Sequence, residues 1–176
     1  MKAMTAVTLM GILLLIFFST HGCKKSDENG YVNAQKGFFL KVPAGWDIEE
    51  GKMNTDLIAV SPEESLEDNF RENFNILVET LPREITREEY YKKGLPAFRE
   101  IAQEFAEHDS GLEKLDGYEF RWDIVSHKMG PLRIKVLQYL TVKDKKGYLI
   151  TFSAADDKFN VYAPMFREIA KSFRFR

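Results

Sequence analysis

The stretch GYEFRWDIVSHKMGPLRIKVLQYLTVKDKKGYLITFSA, residues 117–154, decides the fold class. Within it Tyr118, Phe120, Trp122 and Ile124 alternate with Glu119, Arg121 and Asp123. Successive side chains of a strand point to opposite faces, so this alternation marks a strand with one face turned to a core. Leu132, Ile134, Val136, Leu140 and Val142 repeat the pattern against Arg133, Lys135 and Thr141. Tyr148, Ile150 and Phe152 repeat it against Leu149, Thr151 and Ser153. The links, residues 126–131 and 143–147, are short and rich in turn formers. Parallel neighbours need a long crossover, so these strands form an antiparallel meander. Asp144 to Gly147 reads as a type I turn closed by a left-handed glycine. His127 falls in the first link and is expected to be solvated. Val125, Leu137, Tyr139 and Leu149 stand on the outer faces, which predicts partial cover there too.

Upstream, Phe74, Ile76 and Val78 alternate with Asn73, Asn75 and Glu79, giving another strand. Shorter strands are expected at residues 37–42, stopped by Pro43-Ala44-Gly45-Trp46, and at 56–61, ended by Pro62. The acidic run over 63–72 reads as a solvated loop. Thr86-Arg87-Glu88-Glu89 is a capping box, in which a threonine hydroxyl and a glutamate three residues on satisfy each other's amides. Ile85 and Tyr90 stand at staple spacing around it. Tyr91, Leu95, Phe98, Ala102 and Phe105 fall on one stripe, predicting a helix that continues past residue 105 with a kink or restart near Gly94, because Pro96 lacks an amide proton. A second helix near residues 157–172 aligns Phe159, Tyr162, Phe166, Ile169 and Phe173, with Asp156-Asp157 as its N-cap. Strands, helix, meander and helix make an α+β chain with an antiparallel sheet.

The N-terminus has a different character. Lys2 precedes an apolar run over residues 6–18, followed by Ser19-Thr20-His21-Gly22-Cys23. This is the layout of a secretory signal, and its length also suits an uncleaved anchor. Cys23 is the only cysteine. Gly22-Cys23 at the end of the run resembles the lipobox of bacterial lipoproteins, although Thr20 and His21 depart from it. That resemblance implies removal of residues 1–22, acylation of Cys23 and a domain held by lipid outside the cytoplasm. Lys24 in place of aspartate favours the outer membrane where a cell has two. Residues 24–36 are polar and read as a flexible tether, with a single domain over 37–176.

Composition narrows the chemistry. Lysine and arginine number 25 against 27 acids, so no basic surplus points to nucleic acid. Beyond Lys24 and Lys25 no polybasic segment adjoins Cys23, so electrostatic lipid binding is not expected from the linear sequence. A domain without cysteine forms no disulfide and no thiolate zinc site. His108-Asp109-Ser110 contains the residue types of a hydrolytic triad, but neighbours in sequence do not converge, and a helix C-terminus accounts for His108. Arg121 and Asp123 read as a surface ion pair of small worth. No catalytic residue, metal or cofactor is expected. Trp46 is read as a plug at one end of the core, and its exposed edge as the candidate binding contact.

The order of motifs resembles the PsbP-like superfamily. Val42-Pro43-Ala44-Gly45-Trp46, Asn73-Phe74-Asn75-Ile76-Leu77-Val78, Ile85-Thr86-Arg87-Glu88-Glu89-Tyr90, Gly147-Tyr148-Leu149-Ile150-Thr151-Phe152 and the closing Phe166-Arg167-Glu168-Ile169-Ala170-Lys171-Ser172-Phe173-Arg174 carry the resemblance. It implies a central antiparallel sheet sandwiched by helices, an α/β/α arrangement. It implies no reaction, since members range from a photosynthetic accessory subunit to a GTPase-binding protein. The expectation is a non-catalytic envelope module that binds a protein partner. The alternative is a solute-binding protein or enzyme with a pocket near Trp46 and residues 61–73.

Overall fold

The computed structural model describes residues 24–25, 30–66 and 68–176. The expected leader and the expected acylation site, Cys23, lie outside the described residues. The elements run β1 (Lys24–Lys25), β2 (Tyr31–Asn33), β3 (Phe38–Leu40), β4 (Asp47–Glu49), β5 (Leu57–Val60), β6 (Asn73–Thr80), α1 (Arg87–Ile101), β7 (Gln103–Leu115), β8 (Tyr118–Met129), β9 (Leu132–Lys143), β10 (Lys146–Ala155), α2 (Phe159–Lys171) and β11 (Arg174–Phe175). An eight-stranded sheet has the order β1-β4-β5-β6-β10-β9-β8-β7, and β11-β3-β2 form a smaller one. The pairings within both are antiparallel.

The meander is present, extended by β6 on one side and β7 on the other. Phe74, Ile76, Tyr148, Ile150 and Phe152 point into the larger core, joined by Phe159, Phe166, Ile169 and Phe173 from α2 and its exit. A second core lies on the opposite face, where Leu95 and Phe98 of α1 meet Val125, Ile134 and Val136. Both faces are covered, so the architecture is α+β with helices on either side of the sheet.

Several local expectations change. Within the stretch over 24–36 the described residues, 24–25 and 30–36, take part in the fold: β1 pairs with β4, β2 pairs with β3, and Tyr31 packs its ring 5.9 Å from Phe38. The capping box forms as read, with Glu89 N donating to Thr86 Oγ1 and Thr86 N to Glu89 Oε2. Helix α1 runs through Pro96 but stops at Ile101, and Phe105 belongs to β7. A positive φ at Glu104 redirects the chain there. The β9–β10 turn has positive φ at both Asp144 and Lys145, which matches the right-handed twist of a hairpin better than a type I turn. Gly147 therefore lies within β10. Its missing side chain makes room for the Tyr90 ring, which an added Cβ would meet at 2.5 Å. Helix α2 starts after Lys158 without a side-chain cap, and Asp156 pairs instead with Lys135 at 3.2 Å.

Candidate functional site

Trp46 is 4% exposed and stacks at a tilt 5.9 Å from Phe74. The plug reading fits; an exposed edge for binding does not, because Phe74 and the core enclose the indole. Beside it Asp47 accepts from Arg71 at 2.6 Å, and Arg71 Nε also donates to the Ser61 carbonyl at 2.5 Å. These bonds tie β4 to the segment entering β6 and close the loop over 61–72 at its base.

That loop holds the most unusual group described. Glu72 is 0% exposed, and neither carboxylate oxygen has a hydrogen-bond partner. The Ser61 hydroxyl is likewise buried and unpartnered. Two residues before Phe74, Glu72 shares the face that α2 covers. Burial raises its pKa, opposed in part by nearby backbone amides and by Lys158. Above it Glu64 accepts from Lys158 at 2.7 Å and from the Tyr162 hydroxyl. Lys158 also reaches Asp68 at 3.8 Å. The bond from Lys158 leads in holding the Glu64 carboxyl below its usual range, while burial and then Glu64 push the Tyr162 hydroxyl up. An ionised carboxylate placed without a partner in such a site is costly, so burial moves the Glu72 carboxyl toward its neutral form beneath a salt-bridged loop. No residue pattern signals this, because Glu72 is the last acid of a run that looks solvated throughout.

Two other constellations bear on chemistry. His108 lies mid-strand in β7, not at a helix end, and its Nε2 is 2.8 Å from Ser126 Oγ. Ser126 is 1% exposed and within 3.5 Å of Arg133, so this pair bridges strands rather than presenting a nucleophile. Asp109 accepts from the Ser110 amide, so the three consecutive residues do not converge. His127 is buried with its ring 5.2 Å from Phe98, and loss of water lowers its pKa. Its expected solvation fails because β8 continues to Met129 and leaves only a two-residue turn. Arg121 grips Asp123 through Nε and Nη2, at 3.0 and 2.7 Å, under the Tyr91 ring at 3.8 Å. The pair is roofed by α1 and is not a surface feature. Among the described residues no group of three or more acids, histidines or cysteines is arranged to hold a metal ion.

The described architecture is a sheet sandwiched by helices, with a small second sheet completing one core. It is the PsbP-like fold. The chain aligns over 89% of its length with 99% of the cyanobacterial PsbP protein CyanoP from Synechocystis sp. PCC 6803, at 16% identity and TM-score 0.63. Over 77% of its length it aligns with 81% of LpqN, involved in cell envelope biogenesis of Mycobacterium tuberculosis, at 15% identity and TM-score 0.62. Over 88% it aligns with 96% of the Saccharomyces cerevisiae Ran-binding protein Mog1p, at 10% identity and TM-score 0.58. These likenesses show the fold. No family model matches the sequence, and no curated protein is similar to it.

Proposed function

We propose that this chain is a lipid-anchored accessory module of the bacterial cell envelope, which works by binding a protein partner rather than by catalysis. The observation that carries the reading is Gly22-Cys23 at the end of the apolar run over 6–18, within eight residues of Tyr31, where the fold begins to pack. Several acyl chains on Cys23, each methylene contributing about 0.8 kcal/mol when buried, would hold the domain at a membrane. The envelope role of LpqN and the Ran-binding role of Mog1p support a binding use of this fold. Feeding cells a clickable fatty acid tests the anchor: label on the wild type and none on Cys23→Ser is expected, and label retained on Cys23→Ser refutes it. Crosslinking in intact cells followed by pull-down tests the partner. Recovery of the monomer alone, with turnover in an unbiased substrate screen, would refute the accessory role.

The unpartnered carboxyl of Glu72 favours a second reading, a small-solute site beneath the loop over 61–72. A solute that raises the melting temperature of the wild type but not of Glu72→Gln would establish it.

A further inference from the structure

We propose that the exposed side of α2, with the loop over 61–66 laid along its edge, is the docking surface for a basic amphipathic segment of a protein partner. This rests on the partner-binding reading above and names the surface that does the binding.

The apolar part of the surface follows from helical spacing. Phe159, Phe166, Ile169 and Ala170 turn α2 inward onto the core. Val161, Pro164 and Met165 share the other side, where side chains three and four residues apart are neighbours. Val161 is 76% exposed and Met165 41%. Glu64 accepts from both Lys158 and the Tyr162 hydroxyl, which stand one turn apart on the flank next to Val161 and Met165. Leu66, two residues past Glu64 and fully in solvent, therefore extends the same patch. The other large apolar side chains that are exposed among the described residues are scattered, over β2, the β4–β5 hairpin, the end of α1, β7 and β8.

The charge beside the patch is of one sign. Lys158 is shared between Glu64 at 2.7 Å and Asp68 at 3.8 Å, Lys135 is taken by Asp156 at 3.2 Å, and Arg71 by Asp47 at 2.6 Å. Glu63 and Asp157, both exposed, have no cation partner among the described residues. Further along the stripe Glu168 and Lys171 neutralise each other at 2.9 Å, and Arg167 is turned aside over the Trp122 ring. Lys41 stands past the last turn of α2, where its amide donates to the Ser172 hydroxyl. With every pair set aside, Glu63, Asp157 and the surplus of two acids over Lys158 remain at the loop end. Such a field repels anionic headgroups and attracts a segment carrying lysine or arginine. Apolar side chains at three- and four-residue spacing suit a helix whose own apolar stripe is flanked by those cations, and the unbranched Met165 adapts its shape to such a partner.

The test uses the full chain and two fluorescein-labelled amphipathic helical peptides, one of leucine and lysine and its leucine–glutamate counterpart. Any binding through residues 1–22 is common to wild type and variants and cancels. The lysine peptide is expected to bind about tenfold or more tighter than the glutamate peptide, with a preference that falls with salt. Val161→Ser with Met165→Ser should weaken the lysine peptide by about tenfold, and Glu63→Lys with Asp157→Lys should do so with the apolar residues intact. All four positions are exposed, so melting temperatures should stay at the wild-type value, and Val161→Ser alone serves if the double variant melts lower. In intact cells, a photocrosslinker at position 161 should trap a protein through a segment rich in lysine or arginine. The control is position 112 on the opposite face, where Leu112 pairs with Arg121 beneath α1. Equal affinity for the two peptides, indifference to the serine or lysine substitutions, or an acidic segment trapped at 161 would overturn the proposal. So would a wild-type dimer, or vesicle binding, that the serine substitutions abolish, since a second copy or a lipid surface would then be the occupant. A protein trapped at 112 alone would refute this surface and leave the partner reading standing, whereas no protein at either position would remove both.

Discussion

Beneath α2 the sheet meets aromatic carbon. Phe166 is fully buried and stacks 5.1 Å from Phe152, which in turn contacts Phe74 and Tyr139. Beneath α1 it meets a mixture, with Phe98 against Phe105 and His127, the Arg121–Asp123 pair under Tyr91, and Tyr90 donating to Glu79 at 2.5 Å. The α2 cover is held by non-directional burial, which scales with area. The α1 cover adds directional bonds that fix how the helix sits, because a buried donor or acceptor that loses its partner is expensive. Glu72 is the exception that sharpens the contrast: with the Ser61 hydroxyl beside it, its carboxyl is a buried polar group without a hydrogen-bond partner among the described residues.

The largest expected effect is on the aromatic side. Phe166→Ala should lower unfolding free energy by about 3–5 kcal/mol by denaturant titration, and Phe98→Ala by less, since the α1 face retains its polar ties. Equal losses would dissolve the distinction. On the polar side, Arg121→Ala strands Asp123 and should cost about 2–3 kcal/mol, whereas replacing both with apolar residues should recover much of it. Gly147→Ala drives a methyl group into the Tyr90 ring and should cost about 1–3 kcal/mol, with loosened amide-exchange protection in α1. Thr86→Ala, losing half of the capping box, should cost about 1 kcal/mol.

Glu72→Gln should act in the other direction. Burial raises this carboxyl above its ordinary 4.5 in the folded state. Its contribution is therefore fully present below about pH 4.5 and is lost as pH rises through the raised value. The amide removes that loss, so the variant should melt about 2–4 °C above the wild type at neutral pH and match it in acid. A variant that melts lower at neutral pH would mean that the carboxylate is ionised and held by a partner.

What was legible in the sequence follows the same physics. Strands β6, β8, β9 and β10 were readable because each buries at least one face and so alternates. The capping box was readable because it is a local contract between Thr86 and Glu89. Strand β7 was missed: Glu107, His108, Asp109 and Ser110 are all exposed, so it has no apolar rhythm, and Phe105 lies seven residues after Phe98, a helical spacing. The Arg121–Asp123 pair looked superficial because nothing in β8 announces the helix above it. Trp46 was correctly placed as a plug, yet its burial removes it as a contact.

Strand β7 also has a bearing on crowding. It ends the sheet, so its outer backbone is where a neighbouring molecule's strand would add. Two register shifts, after Gln103 and after Glu107, spoil the regular ladder that such addition needs. Molecules packed side by side in two dimensions could reach high local density without polymerising edge to edge.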